Sequence, residues 1–186
     1  INVVGGGLTV TGVSTFFSRV SIADSIVHTG DIDTSLRFPA ANTFTVETAG
    51  SEALRVDSSQ RLLVGTSSLL ASSTAANLQI ANSSGSRISI ARNSTTVTDG
   101  NLMGAVDFYG NDSDGTYELC GRFLCQADGT HGDDDKPTRL TFHTTPSGSD
   151  TAVERLRVTS EGKIGINSTV PTAYLEVVGT TGTAST

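Results

Sequence analysis

Short runs in which apolar and polar residues alternate fill most of the chain. A period of two places the apolar residues of each run on one face of a β-strand. Gly, Asn, Asp and Ser, which favour turns, separate the runs. The pattern therefore predicts an all-β chain, with a helical turn or a loop equally open at residues 69–76. The predicted strands cover residues 8–13, 18–23, 35–38, 43–48, 54–57, 62–65, 77–81, 87–92, 104–109, 117–127, 139–144, 155–159, 163–167 and 174–178.

One stretch of the chain occurs twice. The segment SEALRVDSSQRLLVGTSS (51–68) recurs in AVERLRVTSEGKIGINST (152–169), so that Glu52 becomes Glu154, 102 residues later. With a five-residue deletion, the similarity continues from ANLQIA into AYLEVV. A repeated β unit predicts a fold assembled from repeats.

Each copy of the repeat reads as a β-hairpin. Leu54 and Val56 share a parity, as do Leu62 and Val64, so each arm has two apolar residues on one face. The intervening DSSQ in one copy and TSEG in the other are turn sequences. Such hairpins are marginal alone and gain stability by stacking or by pairing with other chains.

The composition favours a thin, elongated β fibre rather than one large core. Aromatic residues make up 5% of the chain, tryptophan is absent, and there are 20 glycines. Large aromatic side chains normally dominate a globular core. We therefore expect the apolar stripe of each hairpin to be shared with neighbouring chains.

Charge and hydropathy exclude two classes of partner. The net charge of -7 and the lack of a Lys/Arg cluster argue against nucleic-acid binding. No stretch approaches the roughly 18 apolar residues of a membrane span, and INVVGGG at the start does not resemble a signal peptide. Because the first residue is not methionine, we expect a segment of a longer chain.

The repeats divide the chain into four predicted regions. Residues 1–44 form an N-terminal β shaft and residues 45–81 the first hairpin repeat. Residues 82–145 are an inserted β knob, which is either a recognition surface or a structural thickening. Residues 146–186 hold the second repeat and the start of a further shaft.

The second repeat resembles a phrase found in phage tail fibres and other virion appendages, especially those of marine and cyanobacterial phages. The residues that carry the resemblance lie in ERLRVTSEGKIGINSTVPTAYLEVVG, namely Glu154, Arg155, Leu156, Arg157, Gly162, Ile164, Gly165, Ile166, Pro171 and Leu175. DTSLRFPAANTFTVETAGSEALRV, upstream, is similar to such fibres too. Asn167 departs from the phrase, which has glycine there, and Gln60 replaces the turn glycine in the first copy.

The resemblance implies an intertwined homotrimer whose Leu54, Val56, Ile164 and Ile166 face a common axis. A single-chain solenoid is the open alternative. The implied function is that of a structural segment of a virion fibre, assembled in the host cytoplasm, which serves host attachment or linkage within the particle. Its expected partners are two further copies, other virion proteins and a host-surface glycan or protein. A capsid decoration protein or head fibre, and a polysaccharide-degrading tail spike, are the alternatives.

The sequence predicts no catalytic residue, cofactor or metal. No serine lies in a nucleophile-elbow motif, and four acidic residues that a spike could use look like solvated turn residues. Two acidic loops, 111–115 and 128–137, hold only a fragment of a calcium-loop pattern. The two cysteines are expected to be unpaired thiols. The residues weighed are His28, His131, His143, Asp107, Asp112, Asp114, Glu118, Cys120 and Cys125.

Overall fold

The structure is a computed structural model that describes residue 7, residues 10–70 and residues 76–179. In these residues the chain is all β and holds twelve strands in two six-stranded sheets. The chain divides into two compact units, Ile1–Arg87 and Ile88–Thr186. The strands are β1 (Ser25–His28), β2 (Asp31–Arg37), β3 (Phe44–Thr48), β4 (Ser51–Val56), β5 (Leu62–Val64), β6 (Leu78–Ile80), β7 (Leu102–Asn111), β8 (Tyr117–Ala127), β9 (Thr138–Thr144), β10 (Val153–Val158), β11 (Ile164–Ile166) and β12 (Leu175–Val177).

The second sheet repeats the topology of the first. The strand orders are β1-β2-β3-β4-β5-β6 and β7-β8-β9-β10-β11-β12. Neighbouring strands are antiparallel in both sheets except for the last pair, β5–β6 and β11–β12, which is parallel. The duplication that the sequence reveals in the hairpins therefore extends over a whole sheet.

Both predicted hairpins are present with the same register. Leu54 lies opposite Val64 in β4–β5, and Leu156 lies opposite Ile166 in β10–β11. The turns also correspond, because Gln60 and Gly162 have φ angles of 64° and 77°. The amide of each donates to the carbonyl three residues earlier, at 2.9 and 3.0 Å. Glycine adopts this left-handed conformation freely, whereas glutamine does so at a cost.

A β-bulge explains the recurring Glu-x-Leu-Arg sequence. The register between β3 and β4 shifts beside Ala53, and the one between β9 and β10 shifts at the matching Arg155. On a regular strand, residues three apart point to opposite faces. The extra residue brings Glu52 and Arg55 to one face, where the guanidinium donates to both carboxylate oxygens at 2.8 and 2.6 Å. A bulge has this re-aiming effect on side chains.

The small core lies on the sheet face that carries polar residues. Thr45 and Thr141 are fully buried there, and Leu63 is only 1% exposed. The connection from β11 to β12 folds over this face, since a Cβ on Gly165 would overlap the carbonyl of Ser168. The buried hydrophobic residues of the described chain are Leu63, Val97, Leu124 and Ala127.

Eleven of the fourteen predicted strands coincide with strands of the structure. Three predictions are wrong within the described residues, because no strand forms at residues 10–13, 18–23 or 87–92. Residues 8 and 9 of the first lie outside the described part. These segments alternate correctly, but no neighbouring strand of the described chain pairs with them. The pattern also missed β1, a short edge strand.

Other predictions are not decided by the fold. The possible helical turn at 69–76 falls mainly on residues 71–75, which lie outside the described residues. The predicted division into four regions stays a prediction, since the two compact units do not test it. In the described residues, no helix has the length and apolar character that crossing a membrane requires.

Candidate functional site

The first sheet presents a continuous apolar face, here called apolar face A. The register aligns one apolar residue from each of its six strands in a single row. That row consists of Ile26, Leu36, Val46, Leu54, Val64 and Ile80. A parallel second row consists of Phe44, Val56, Leu62 and Leu78. Phe38 extends the face, because its ring centroid lies 5.8 Å from that of Phe44.

The second sheet presents the corresponding apolar face B. Its main row consists of Val106, Phe123, Phe142, Leu156, Ile166 and Val177. The second row consists of Cys125, Leu140, Val158, Ile164 and Leu175. The rings of Phe123 and Phe142 contact each other across β8 and β9, with centroids 4.9 Å apart.

Both apolar faces remain open to solvent. Leu36 and Leu78 are 40% and 50% exposed on face A, and Phe142 and Leu175 are 45% and 61% exposed on face B. Isolated exposed apolar residues are normal, but contiguous ones mark interaction surfaces. The two faces are therefore the best candidates for a functional surface.

The four residues predicted to face a trimer axis all lie on these faces. Leu54 and Val56 belong to apolar face A, and Ile164 and Ile166 belong to apolar face B. The prediction that each pair of apolar residues shares one face of its hairpin is confirmed, and the trimer axis stays a prediction. The sequence did not indicate that strands β1, β2, β7 and β8 continue the same rows. The register connects them, and register depends on contacts between distant parts of the chain.

Ion pairs cover the opposite face of each sheet. Arg157 donates to both carboxylate oxygens of Glu154 at 2.7 and 2.8 Å, the same arrangement that Arg55 and Glu52 adopt. Arg122 donates to both oxygens of Asp107 at 3.0 and 2.7 Å. Planar two-point pairs of this kind are stronger than single hydrogen bonds. The charges of these ion pairs are therefore satisfied within the chain.

One carboxylate beside β12 is strongly stabilised in its charged form. The Ser168 hydroxyl, at 2.5 Å, and the amide and hydroxyl of Thr172, at 2.9 and 2.8 Å, all donate to Glu176. These donors lower the pKa of Glu176 from 4.5 to about 2. In the first sheet Gln79 takes the matching place and accepts from the amide of Leu70 at 3.1 Å. The carboxylate thus fixes the connection between β11 and β12.

Of the four carboxylates considered for glycan hydrolysis, one lies within β7 and the others lie in or beside the β7–β8 turn. Asp107 lies within β7 and is bound by Arg122, and that guanidinium lowers its pKa. Asp112 and Asp114 lie in the turn after β7, where their oxygens accept from the amides of Asp114 and Thr116 at 3.0 and 2.9 Å. Glu118 is exposed on β8. A hydrolytic acid needs a raised pKa near neutrality, and Asp107 shows the opposite shift.

The three histidines lie on separate elements. His28 is exposed at the end of β1. His131 lies 3.2 Å from the carbonyl oxygen of Pro137 through Nε2. His143 lies on β9, 3.0 Å from the hydroxyl of Thr141, and burial lowers its pKa.

A lysine side chain occupies the acidic loop after β8. Lys136 Nζ donates to the carbonyls of Gly132 and Asp133. These are oxygens of the type that a calcium ion would use. Within the described residues no group of three or more His, Cys, Asp or Glu side chains is placed to hold a metal. Cys120 is an exposed free thiol, and Cys125 is a half-buried one on apolar face B.

A polar cleft of about 470 Å³ lies beside β9 and β10. Its central cation is Arg139, which donates to Asp99 at 2.8 Å and to Asp128 at 2.9 Å. Asp128 also accepts from the amide and hydroxyl of Ser160, at 2.9 and 3.0 Å. No local sequence pattern indicated this cluster, because its members are far apart along the chain. Its charges are already paired, so it fixes the loops rather than offering free ligands.

Comparison with known proteins finds likeness only among solved structures. No protein-family model and no curated protein matches the chain. The carboxy-terminal domain of the bacteriophage T5 L-shaped tail fibre is similar with 13% identity and a TM-score of 0.37, over 85% of this chain and 80% of that one. The same domain with its intramolecular chaperone domain gives 14% identity and a TM-score of 0.30, over 85% of this chain and 55% of that one. Both TM-scores are below 0.5, so the functional argument rests on the residues of this chain.

Proposed function

We propose that this chain is a structural, non-enzymatic segment of a virion fibre, in which three copies bury their apolar sheet faces against one another. The observation that carries the proposal is the pair of aligned apolar rows that the single chain leaves exposed. The repeated hairpin, with its resemblance to phage tail fibres, supplies the biological setting.

Energetics support burial of these faces between chains. Fully burying one Leu, Ile, Val or Phe side chain contributes about 1.5–3 kcal/mol. In the described residues only Leu63, Val97, Leu124 and Ala127 are buried hydrophobics. Each apolar face, by contrast, aligns at least ten apolar residues, counting both rows. Further hydrophobic stabilisation is therefore gained when another surface covers the exposed residues of these rows.

A closed ring of identical chains suits this surface. Each sheet has two edge strands, and the outer side of each edge strand pairs with no other described strand. Such unpaired edges promote uncontrolled association. Cyclic symmetry closes an assembly and limits its size. Three copies arranged around an axis would cover the apolar faces and leave the ion-paired faces in water.

The role of such a fibre segment is mechanical. It would link parts of the particle or hold a host-binding tip away from it, with other virion proteins and a host-surface glycan or protein as partners. The absence of convergent catalytic groups is an expectation from the sequence, and the binding of Asp107 by Arg122 supports it. Incubation with host surface polysaccharide should therefore release no reducing ends.

The native mass tests the assembly directly. Light scattering after gel filtration should give about three times 19.2 kDa, or about 58 kDa. A folded species that remains at 19.2 kDa at all concentrations would contradict the trimer. Immunogold electron microscopy of the virion tests the location, and label confined to the capsid surface would favour a decoration protein instead.

A further inference from the structure

The segment formed by residues 88–92, ISIAR, is a β pattern without a β partner. Ile88 and Ile90 alternate with smaller residues, and they are 70% and 55% exposed. None of the backbone groups of this segment forms a hydrogen bond with another described residue. A β-patterned segment in this state lacks what a strand requires, namely a neighbouring strand.

The segment nevertheless has a defined position. The side chain of Ile90 lies directly over Gly104, so that a Cβ on that glycine would overlap it. Ile88 and Ile90, together with Met103, Phe123 and Cys125, line a cleft of about 230 Å³. The segment therefore lies over apolar face B beside β7, with its isoleucine side chains directed onto that face.

The same unit also presents an unpaired strand edge. β7 is an edge strand of ten residues that pairs only with β8 among the described residues. Its outer side offers unpaired amides and carbonyls, which form a template for another strand. At about 3.4 Å per residue, the five residues of the segment need about 17 Å of an edge that is about 34 Å long. Its own copy cannot use this edge, because Ile90 holds the segment above the face.

We propose that residues 88–92 of one copy add as a strand to the free edge of β7 in a second copy of this chain. This inference deepens the proposed function, because it assigns the contact that interlocks the copies. Val106 and Phe108 on β7 are 44% and 60% exposed and lie on apolar face B. Ile88 and Ile90 would extend this face of the second copy while still pointing onto face B of the first. Two apolar faces would then close on each other.

The arrangement also explains why the assembly would close. Each copy has one donor segment and one acceptor edge, and in a ring of three each copy donates to the next, so that the contacts are head-to-tail. Head-to-tail contacts form a ring when the rotation between copies closes. Three such contacts would satisfy the segment and the β7 edge of every copy in a trimer.

Amide hydrogen exchange tests the inference on the whole chain. In the assembled protein, the alternate amides of residues 88–92 that face β7 of the second copy should exchange at least about a hundredfold more slowly than the amides of residues 93–95. Residues 93–95 are the internal control, since they are also exposed and lack backbone hydrogen bonds but do not alternate. Equal and rapid exchange of both segments in a 58 kDa species would overturn the inference and leave the trimer standing. Slow exchange of residues 88–92 in a 19.2 kDa species would overturn it too, since the pairing would then lie within one chain.

Proline variants provide a second test. Ser89→Pro and Arg92→Pro each remove one amide from the donor segment. The two residues are three apart, so their amides lie on opposite sides of a strand and one of them faces β7. Thr95→Pro makes the same change in the control segment. One of the two donor variants should lose exchange protection at residues 88–92 and need a higher concentration to assemble, and Thr95→Pro should match the wild type. If both donor variants assemble as the wild type does and keep the protection of their neighbours, the inference is wrong. If the wild type itself never assembles, the proposed trimeric fibre is wrong. That outcome differs from a trimer in which residues 88–92 are unprotected, which would overturn only the strand exchange.

Discussion

Replacing Phe108 with threonine should weaken the assembly and leave the sheet intact. Phe108 lies on β7, two residues after Val106 and on the same apolar face B, and it is 60% exposed. A phenylalanine buries roughly 200 Å² when fully covered, so about 120 Å² is still available to a partner. At about 25 cal/mol per Å², that surface is worth about 3 kcal/mol per chain, or about 9 kcal/mol per trimer.

This free energy can be converted into a concentration. A loss of about 9 kcal/mol lowers the association constant of a trimer by between six and seven powers of ten, since about 1.4 kcal/mol corresponds to one power. Because the association constant of a trimer has units of inverse concentration squared, the midpoint concentration varies as its inverse square root and should rise by roughly a thousandfold. Sedimentation velocity over a dilution series measures this midpoint. Threonine favours strands, so the circular dichroism of the variant should remain that of a β protein.

Tyr174→Thr is the matched control for this experiment. Tyr174 is aromatic and 82% exposed, but it lies just before β12 and outside the aligned rows of apolar face B. Its replacement should leave the midpoint unchanged. The reasoning is refuted if Phe108→Thr assembles at the wild-type concentration, or if both variants weaken assembly equally.

Three further predictions concern the duplicated turns and connections. Gln60→Gly should stabilise the chain by roughly 0.5–1 kcal/mol, because it removes a glutamine from the left-handed conformation. Gly162→Gln should destabilise the chain by about the same amount. Urea midpoints that move in the same direction for both variants would contradict this reasoning. Gly165→Ala should cost about 1–3 kcal/mol, because its Cβ meets the carbonyl of Ser168, and an unchanged melting temperature would show that the connection yields freely. The lowered pKa of Glu176 adds stability that is fully present above pH 4.5 and is lost as the pH falls towards about 2. Glu176→Gln should therefore flatten the acid limb of the unfolding midpoint against pH, and an unaltered limb would contradict the assignment.

The duplicated Glu-x-Leu-Arg sequence shows how far a local pattern can predict a site. The alternation of Leu54 and Val56 was enough to place them on one face of a hairpin. It could not reveal the bulge at Ala53, because a bulge is defined by the partner strand. For the same reason, the pairing of Glu52 with Arg55 is contrary to what a regular strand predicts.

The segment of residues 88–92 shows where a local pattern fails to predict structure. Its alternation is as clear as that of β4, yet it forms no strand within the described residues. Strand formation needs hydrogen bonds from a neighbour, and no local sequence specifies whether that neighbour belongs to the same chain. The pattern was therefore a sound indication of β tendency and an incorrect prediction of an intrachain strand.

The sequence by itself determined the all-β class, the duplicated hairpins and the apolar face of each arm. These properties depend on a period of two residues and on turn residues, which act over a few positions. The tertiary structure alone decided that each hairpin belongs to a six-stranded sheet, that the apolar rows run across all six strands, and that Arg139 joins Asp99 and Asp128. Those features arise from register and from contacts between residues far apart in the chain, which no local pattern encodes.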